Sequence, residues 1–235
     1  MRLSAEDLRA ALDCVDPVDM LIRATDSAAT LTHYDTDLVL LDDPGCGLRC
    51  LLPEGFLRDA YAASMAALAA RLLIAPGVAI TCVLGGSRLH LSVLARHVKD
   101  ISHIAFCAGE IDTRLTEYLD LTGIEYSTTT DFPEAARGAN LILLAEPGPT
   151  LPAFRLCESA VLINATGRPL AALAVDRVVT EDDLPGLITG EYTGRITRAD
   201  TVLVELPGRG RLSPQLAADL YWAALASRPT TTAHR

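Results

Sequence analysis

Val78-Ala-Ile-Thr-Cys-Val-Leu-Gly-Gly-Ser-Arg-Leu-His90 decides the fold. Its first seven residues show little polar alternation, as expected of a strand covered on both faces. Gly85-Gly86-Ser87 then breaks the strand, and residues 88–98 read as a helix. Such a tight turn aims backbone N–H groups and the positive end of a helix at one point, where a phosphate can bind. Working outward, 102–107 is a second strand, 111–121 a helix ending at Gly123, and 124–128 a short third strand. Residues 131–138 form a short helix with an N-cap and a terminal glycine. Residues 141–145 and 160–165 are two further apolar strands. Strand and helix thus alternate from 78 to about 180. The pattern predicts an α/β fold, a Rossmann-like doubly wound parallel sheet with helices on both faces.

Upstream, Ser4 followed by Asp7 resembles a capping box, and Leu3, Leu8, Leu12 and Val15 keep helical spacing. A second helix starts after Asp16-Pro17. Residues 38–41 and 48–52 are short apolar runs separated by Asp42-Asp43-Pro44-Gly45, which reads as two strands and a turn. The alanine-rich stretch 57–74 contains no glycine or proline and reads as a long helix. Residues 213–227 form a capped amphipathic helix, followed by a frayed tail. The expected division is therefore threefold. Residues 1–75 make a reduced N-terminal α+β layer for substrate binding or dimerisation. Residues 76–200 make the Rossmann-like domain. Residues 201–235 are a strand and a helix packing back on the N-terminal region.

The chain has 235 residues, half of them hydrophobic, and 20 Lys+Arg against 30 Asp+Glu give it a net charge of −10. That composition excludes a disordered chain, and the acidic balance excludes electrostatic nucleic-acid binding. No stretch reaches the roughly 18 uninterrupted apolar residues of a membrane span. The N-terminus lacks the basic and apolar regions of a signal peptide. Cys82 and Cys107 sit in apolar runs, and Cys46-x3-Cys50 has no second ligand pair, so reduced thiols in a cytoplasmic protein are expected.

The dinucleotide pattern G-x-G-x-x-G places its glycines at Gly85, Ser87 and His90, so only the first is kept. Gly85, Gly86 and Ser87 are the candidate phosphate contacts. Glu110 follows the second strand, near where a carboxylate would hold a ribose hydroxyl. Ala145, Glu146, Asn164 and Thr166 end two parallel strands, on the edge where ligands bind in doubly wound sheets. Cys107 ends another strand on that edge. Glu146, Cys107 and His90 are the candidate catalytic groups, and Ala145, Asn164 and Thr166 join Glu110 as candidate cofactor contacts. His90 and His97 lie about 10 Å apart along one helix, too far to share an ion, and no metal is expected. A triad of Ser87, His90 and Asp131 lacks the G-x-S-x-G elbow. The run Glu181-Asp182-Asp183 reads as a helix start.

Several weaker motifs, taken in order, resemble the ornithine cyclodeaminase and μ-crystallin family. They are Ala67-Leu-Ala-Ala-Arg-Leu-Leu73 with Pro76 ahead of Val83-Leu-Gly-Gly86, then EAARGANLILLAEPGPTLP at 134–152 and AVLINATG at 160–167. The opening LSAEDLRAALD and the closing TVLVELPGRG are similar to the family's ends. The resemblance implies an NAD(P)-dependent oxidation of an amino acid to an imine, or the reverse, with cyclisation in the namesake. It implies a small-molecule substrate, a role in amino-acid metabolism and a homodimer built on the N-terminal layer. Arg49 resembles an arginine the family uses near a substrate carboxylate. The sequence departs from the family in two places. Its only lysine, Lys99, follows the first Rossmann helix and does not match the catalytic lysine, and no aspartate follows Gly167 before Asp176. Two further readings stand beside the NAD(P)-dependent enzyme: a family member repurposed without nicotinamide for a non-redox cyclisation or elimination, and a non-catalytic binding protein.

Overall fold

A computed structural model describes residues 1–23, 28–77, 79–85, 88–108, 110–145, 154–168, 170, 173–195 and 197–227. The chain divides into two compact units, Met1–Tyr61 with Leu212–Arg235, and Ala62–Arg211.

The first unit opens with α1 (Ala5–Cys14). The Ser4 hydroxyl accepts from the Asp7 N–H, and the Asp7 carboxylate accepts from the Ser4 N–H, completing the capping box. Asp16 caps α2 (Pro17–Ile22), whose first residue is a proline that has no N–H to lose. An antiparallel meander follows: β1 (Thr30–Asp35), β2 (Leu38–Asp43) and β3 (Leu48–Pro53). Val39, Leu41, Leu48, Cys50 and Leu52 alternate into the core. β1 is exposed on both faces apart from partly covered Leu31, so it shows no alternation, and the sequence reading leaves it out. The C-terminal helix α8 (Pro214–Ala226) is capped by Ser213 and packs on α1, α2 and β2.

Helix α3 spans Glu54–Leu73, and every residue from Ala60 to Ala70 is buried. A helix apolar on all sides belongs in an interior, and its alanines let neighbours approach closely.

The second unit holds β4 (Ala79–Leu84), β5 (Ile101–Cys107), β6 (Glu125–Thr129), β7 (Leu141–Leu144), β8 (Val161–Asn164), β9 (Arg177–Thr180) and β10 (Val202–Glu205). They form one sheet in the order β6-β5-β4-β7-β8-β10-β9, and every pair is parallel. All residues of β7 and β8 are buried, which accounts for their unbroken apolar sequences. The connections include α4 (Arg88–His97), α5 (Thr113–Thr122), α6 (Phe132–Ala135) and, after a turn of 3-10 helix at Glu181–Asp183, α7 (Leu184–Thr189). Gly123 ends α5 in the left-handed conformation at φ 69°.

The chain steps outward from β4 through β5 to β6 and then returns to the other side of β4 as β7. Right-handed crossovers therefore put α4 and α5 on one face and α6 on the other. On the α6 face, Phe132, Ala135 and Ala136 pack with Cys82, Ile142 and Leu162. On the other face Val83, Phe106, Leu143 and Ile163 are buried as well. The sheet extends beyond the expected strands. Val202–Glu205, grouped in the sequence reading with the C-terminal piece, lies inside this sheet between β8 and β9, because its four apolar-to-acidic residues pair with both.

The opposite end of the sheet is tied together by Arg195. Its Nε donates to the Leu73 carbonyl (2.8 Å), Nη2 to Ser159 (2.8 Å) and Nη1 to Asp200 (2.6 Å). One guanidinium thus caps the end of α3 and holds the approaches to β8 and β10. Burial pushes its pKa down, and Asp200 acts in the other direction.

Candidate functional site

Register places one residue of each strand in a row across the carboxyl end of the sheet: Thr129, Cys107, Leu84, Leu144, Asn164, Glu205 and Thr180. Between β4 and β7 the strand order reverses. Crossovers leave the sheet on opposite faces there, which opens a crevice outside the strand ends.

Gly85 and Ala145 continue the two lips of this crevice. Gly85 adopts φ 68°, a left-handed conformation that suits glycine. The Ala145 N–H donates to the Leu84 carbonyl at 3.0 Å, and its methyl group is buried. The 10-residue helix α4 starts at Arg88, whose guanidinium lies 6.0 Å from the centre of the Tyr118 ring on α5. The candidate residues Gly86, Ser87 and Glu146 lie outside the described residues.

Cys107 is partly covered at the end of β5, with Sγ 3.9 Å from the Thr130 carbonyl. Burial, and then the Asp131 carboxylate, push its thiol pKa up. It is therefore protonated at neutral pH, the reverse of what a nucleophilic thiolate requires. Glu110 is exposed in the segment leading to Asp112, which caps α5 through the Arg114 N–H at 2.8 Å.

His90 is 4% exposed on the inner side of α4. Burial, reinforced by the Arg209 guanidinium, pushes its pKa down to about 4. The imidazole is neutral at pH 7. Its bulk stands where the glycine pattern needs a small residue. Among the described residues no three His, Cys, Asp or Glu side chains come together to hold a metal ion.

Asn164 is fully buried, and its side chain is engaged within the protein. Oδ1 accepts from the Thr166 hydroxyl (2.7 Å) and the Thr166 N–H (3.2 Å), and Nδ2 donates to the Arg168 carbonyl (2.7 Å) and to Glu205 Oε2. Glu205 Oε1 accepts from the Leu170 N–H at 3.3 Å. The two expected cofactor contacts thus shape the turn after β8, and the structure adds Glu205 as its anchor. Two glycines complete the joint. A Cβ on Gly208 (φ 55°) would stand 2.3 Å from the Ala165 carbonyl oxygen, and one on Gly167 (φ 73°) 2.6 Å from the Pro207 oxygen. Glu205, Gly208 and Arg209 escape sequence reasoning, because only the position of β10 beside β8 gives them neighbours.

Arg49 lies in the first unit, exposed on β3, with Nε 3.2 Å from Asp42 Oδ2 across the strand pair. The same unit carries a second charged group. Glu54, in the first turn of α3, faces His33 Nδ1 at 2.8 Å and Arg58 Nε at 2.8 Å. The Arg58 guanidinium, with a smaller effect from His33, holds the Glu54 carboxyl below its usual range.

The described lips of the crevice are a parallel-strand end, Gly85 at positive φ, a helix starting just beyond it and the small residue Ala145 opposite. No helix among the described residues is long and apolar enough to cross a membrane.

Neither a protein-family model nor a curated protein matches this sequence. Solved structures do match its fold. An archaeal alanine dehydrogenase dimer with bound NAD superposes with a TM-score of 0.74 at 13% identity, over 96% of this chain and 96% of that one. CmnK does so at 0.71 and 15% identity, over 96% and 95%. A probable ornithine cyclodeaminase from Bordetella pertussis Tohama I does so at 0.70 and 15% identity, over 97% and 98%. At such identities the likeness establishes one thing, that this chain has the Rossmann-like fold shared by those structures.

Proposed function

We propose that the chain is a divergent member of the ornithine cyclodeaminase and μ-crystallin family. In this reading it binds NAD(P) in the crevice between β4 and β7 and acts on an amino acid or imine. The observation that carries this reading is the reversal of strand order at β4 and β7, with Gly85 at positive φ leading into α4. The matched structures support it: one is described with bound NAD, and a Thermococcus litoralis Delta(1)-pyrroline-2-carboxylate reductase (TM-score 0.70, 14% identity) in complex with NADH and L-proline.

When bound, the nicotinamide would supply hydride exchange with the carbon that carries the substrate nitrogen. The chain's own residues do the rest. The backbone N–H groups at the start of α4 would hold the pyrophosphate. Ala145 leaves room on the opposite lip. Glu110, exposed beyond β5, would accept from a ribose hydroxyl. Asn164 and Glu205 fix the turn at Thr166 and Arg168. Within the first unit, Arg49 would bind a carboxylate only by giving up Asp42. The protein acts as a homodimer, a state for which the dimeric alanine dehydrogenase is the precedent. Its six free cysteines suit a reducing cytoplasm.

Melting curves with NADH and with NADPH test this reading. Ligand at about 100 times Kd adds about 2.7 kcal/mol, a shift of several degrees for a chain of this size. Absence of any shift at millimolar concentration, together with native mass spectra free of dinucleotide, overturns it. One observation favours a second reading. His90 fills the site where helix packing against a cofactor turn needs a small residue, which suits a repurposed enzyme that runs a non-redox cyclisation or elimination. That reading predicts a substrate-sized crevice with no dinucleotide in it.

A further inference from the structure

A groove of about 550 Å³ lies between α6 with its following turn and the segment 154–158 that leads into β8. The volume is that of a small-molecule site. Its two walls run into the amino ends of β7 and β8. The Asn140 carbonyl, just beyond the groove, accepts from the Val161 N–H at 2.9 Å where the two strands begin. The Cys157 thiol donates to the Ala139 carbonyl at 3.0 Å and pins the two walls together. Pro133, Phe154 and Leu156 supply the apolar part of a mixed lining, and Phe154 is held edge-on to Phe132 with ring centres 4.8 Å apart.

Arg137 and Arg155 line the groove from its two walls. Both are exposed, and neither forms an ion pair with a carboxylate among the described residues. In a chain with net charge −10, two guanidiniums left over beside an apolar surface are a local reversal of sign. Glu158 lines the same groove, so its local charge suits one anionic head rather than a polyanion. Guanidinium forks match such heads with paired hydrogen bonds.

We propose that this groove binds a small molecule with an apolar body and a single carboxylate or phosphate head. Arg137 and Arg155 hold the head, and Phe154 and Leu156 cover the body. None of its lining residues is among those proposed for the dinucleotide, and its test does not depend on that reading.

Titration calorimetry of the whole chain with 3-phenylpropionate and with phenyl phosphate tests the proposal, with 3-phenylpropylamine as the cationic control. Saturable binding of at least one anion at millimolar concentration or below is expected, the tighter one identifying the head, and no binding of the amine. Arg137→Gln and Arg155→Gln each weaken that binding about 10-fold, as loss of a charge-assisted hydrogen bond does. Arg155→Lys keeps the charge and retains part of it. The melting temperature of each variant stays at the wild-type value, since both side chains are exposed. The proposal is overturned if neither anion saturates, if the amine binds as well as the anions, or if both glutamine variants bind like the wild type.

Discussion

Asn164 and Glu205 stand opposite each other in register at the carboxyl ends of β8 and β10, and the amide of one donates to the carboxylate of the other. Both side chains also hold the turn that follows β8, Asn164 through Arg168 and Glu205 through Leu170. Removing one partner leaves the other short of a bond in a covered site, at about 2–3 kcal/mol. Asn164→Leu and Glu205→Leu are each expected to lower the unfolding free energy by about that amount. The double variant falls short of the sum by about 1 kcal/mol or more. Urea denaturation of the four proteins measures the coupling, and strict additivity would remove the pair from the account.

Gly208 and Gly167 lock the same joint through backbone rather than side chains. Each has positive φ, and a Cβ on either would press into the opposite loop. Gly208→Ala and Gly167→Ala are expected to destabilise by about 2–4 kcal/mol. Gly210, two residues on, has open space at its Cβ position and serves as the control. Gly210→Ala should stay within about 0.5 kcal/mol of wild type. Thermal melting of the three variants distinguishes a tight joint from a loose one.

His90 gives stability a defined pH dependence. Its pKa falls from 6.5 to about 4 on folding, so below pH 6.5 the unfolded chain binds the proton that the folded chain refuses. The contribution is complete above pH 6.5 and is lost progressively as pH falls toward 4. The loss is on the order of 3 kcal/mol over that window. His90→Gln should flatten the stability profile there while leaving its slope above pH 7 unchanged. Equal slopes in the two proteins would contradict a buried neutral imidazole.

Arg195 joins three separate segments through backbone carbonyls. Arg195→Met removes the donors to the Leu73 carbonyl at the end of α3 and to the Ser159 and Asp200 carbonyls, and about 3 kcal/mol of stability should go with them. Arg195→Lys recovers little, because an ammonium group cannot span the three directions of the planar fork. Hydrogen exchange at the end of α3 should rise in both variants. A lysine variant as protected as wild type would refute the geometric account.

The parallel core was legible because burial on both faces leaves a mark on composition. LILL at β7 and VLIN at β8 are unbroken apolar runs, and strand-helix alternation then sets the architecture. β1 was not legible, since TLTHYD is solvated on both sides and exists as a strand through its pairing with β2. The same limit governs the site. Gly85 could be placed from the turn alone, whereas Glu205 and Gly208 became meaningful only when β10 was found beside β8. Arg195 sits in a polar loop sequence that looks solvated, and its role depends on carbonyls far away along the chain. His90 is a titratable group near a helix start, but its imidazole is buried and neutral rather than open to solvent.

The insertion of β10 between β8 and β9 bears on how the chain emerges from a ribosome. β9 is made first, yet its sole strand partner among the described residues is β10, which is synthesised later. Until Glu205 has cleared the exit tunnel, the growing polypeptide carries a finished β8 with a bare outer edge and a β9 with nowhere to dock. Completion of this half of the sheet is thus deferred to a single late event, the threading of β10 into the gap, and a nascent chain stalled before residue 202 is the form most open to chaperones and proteases.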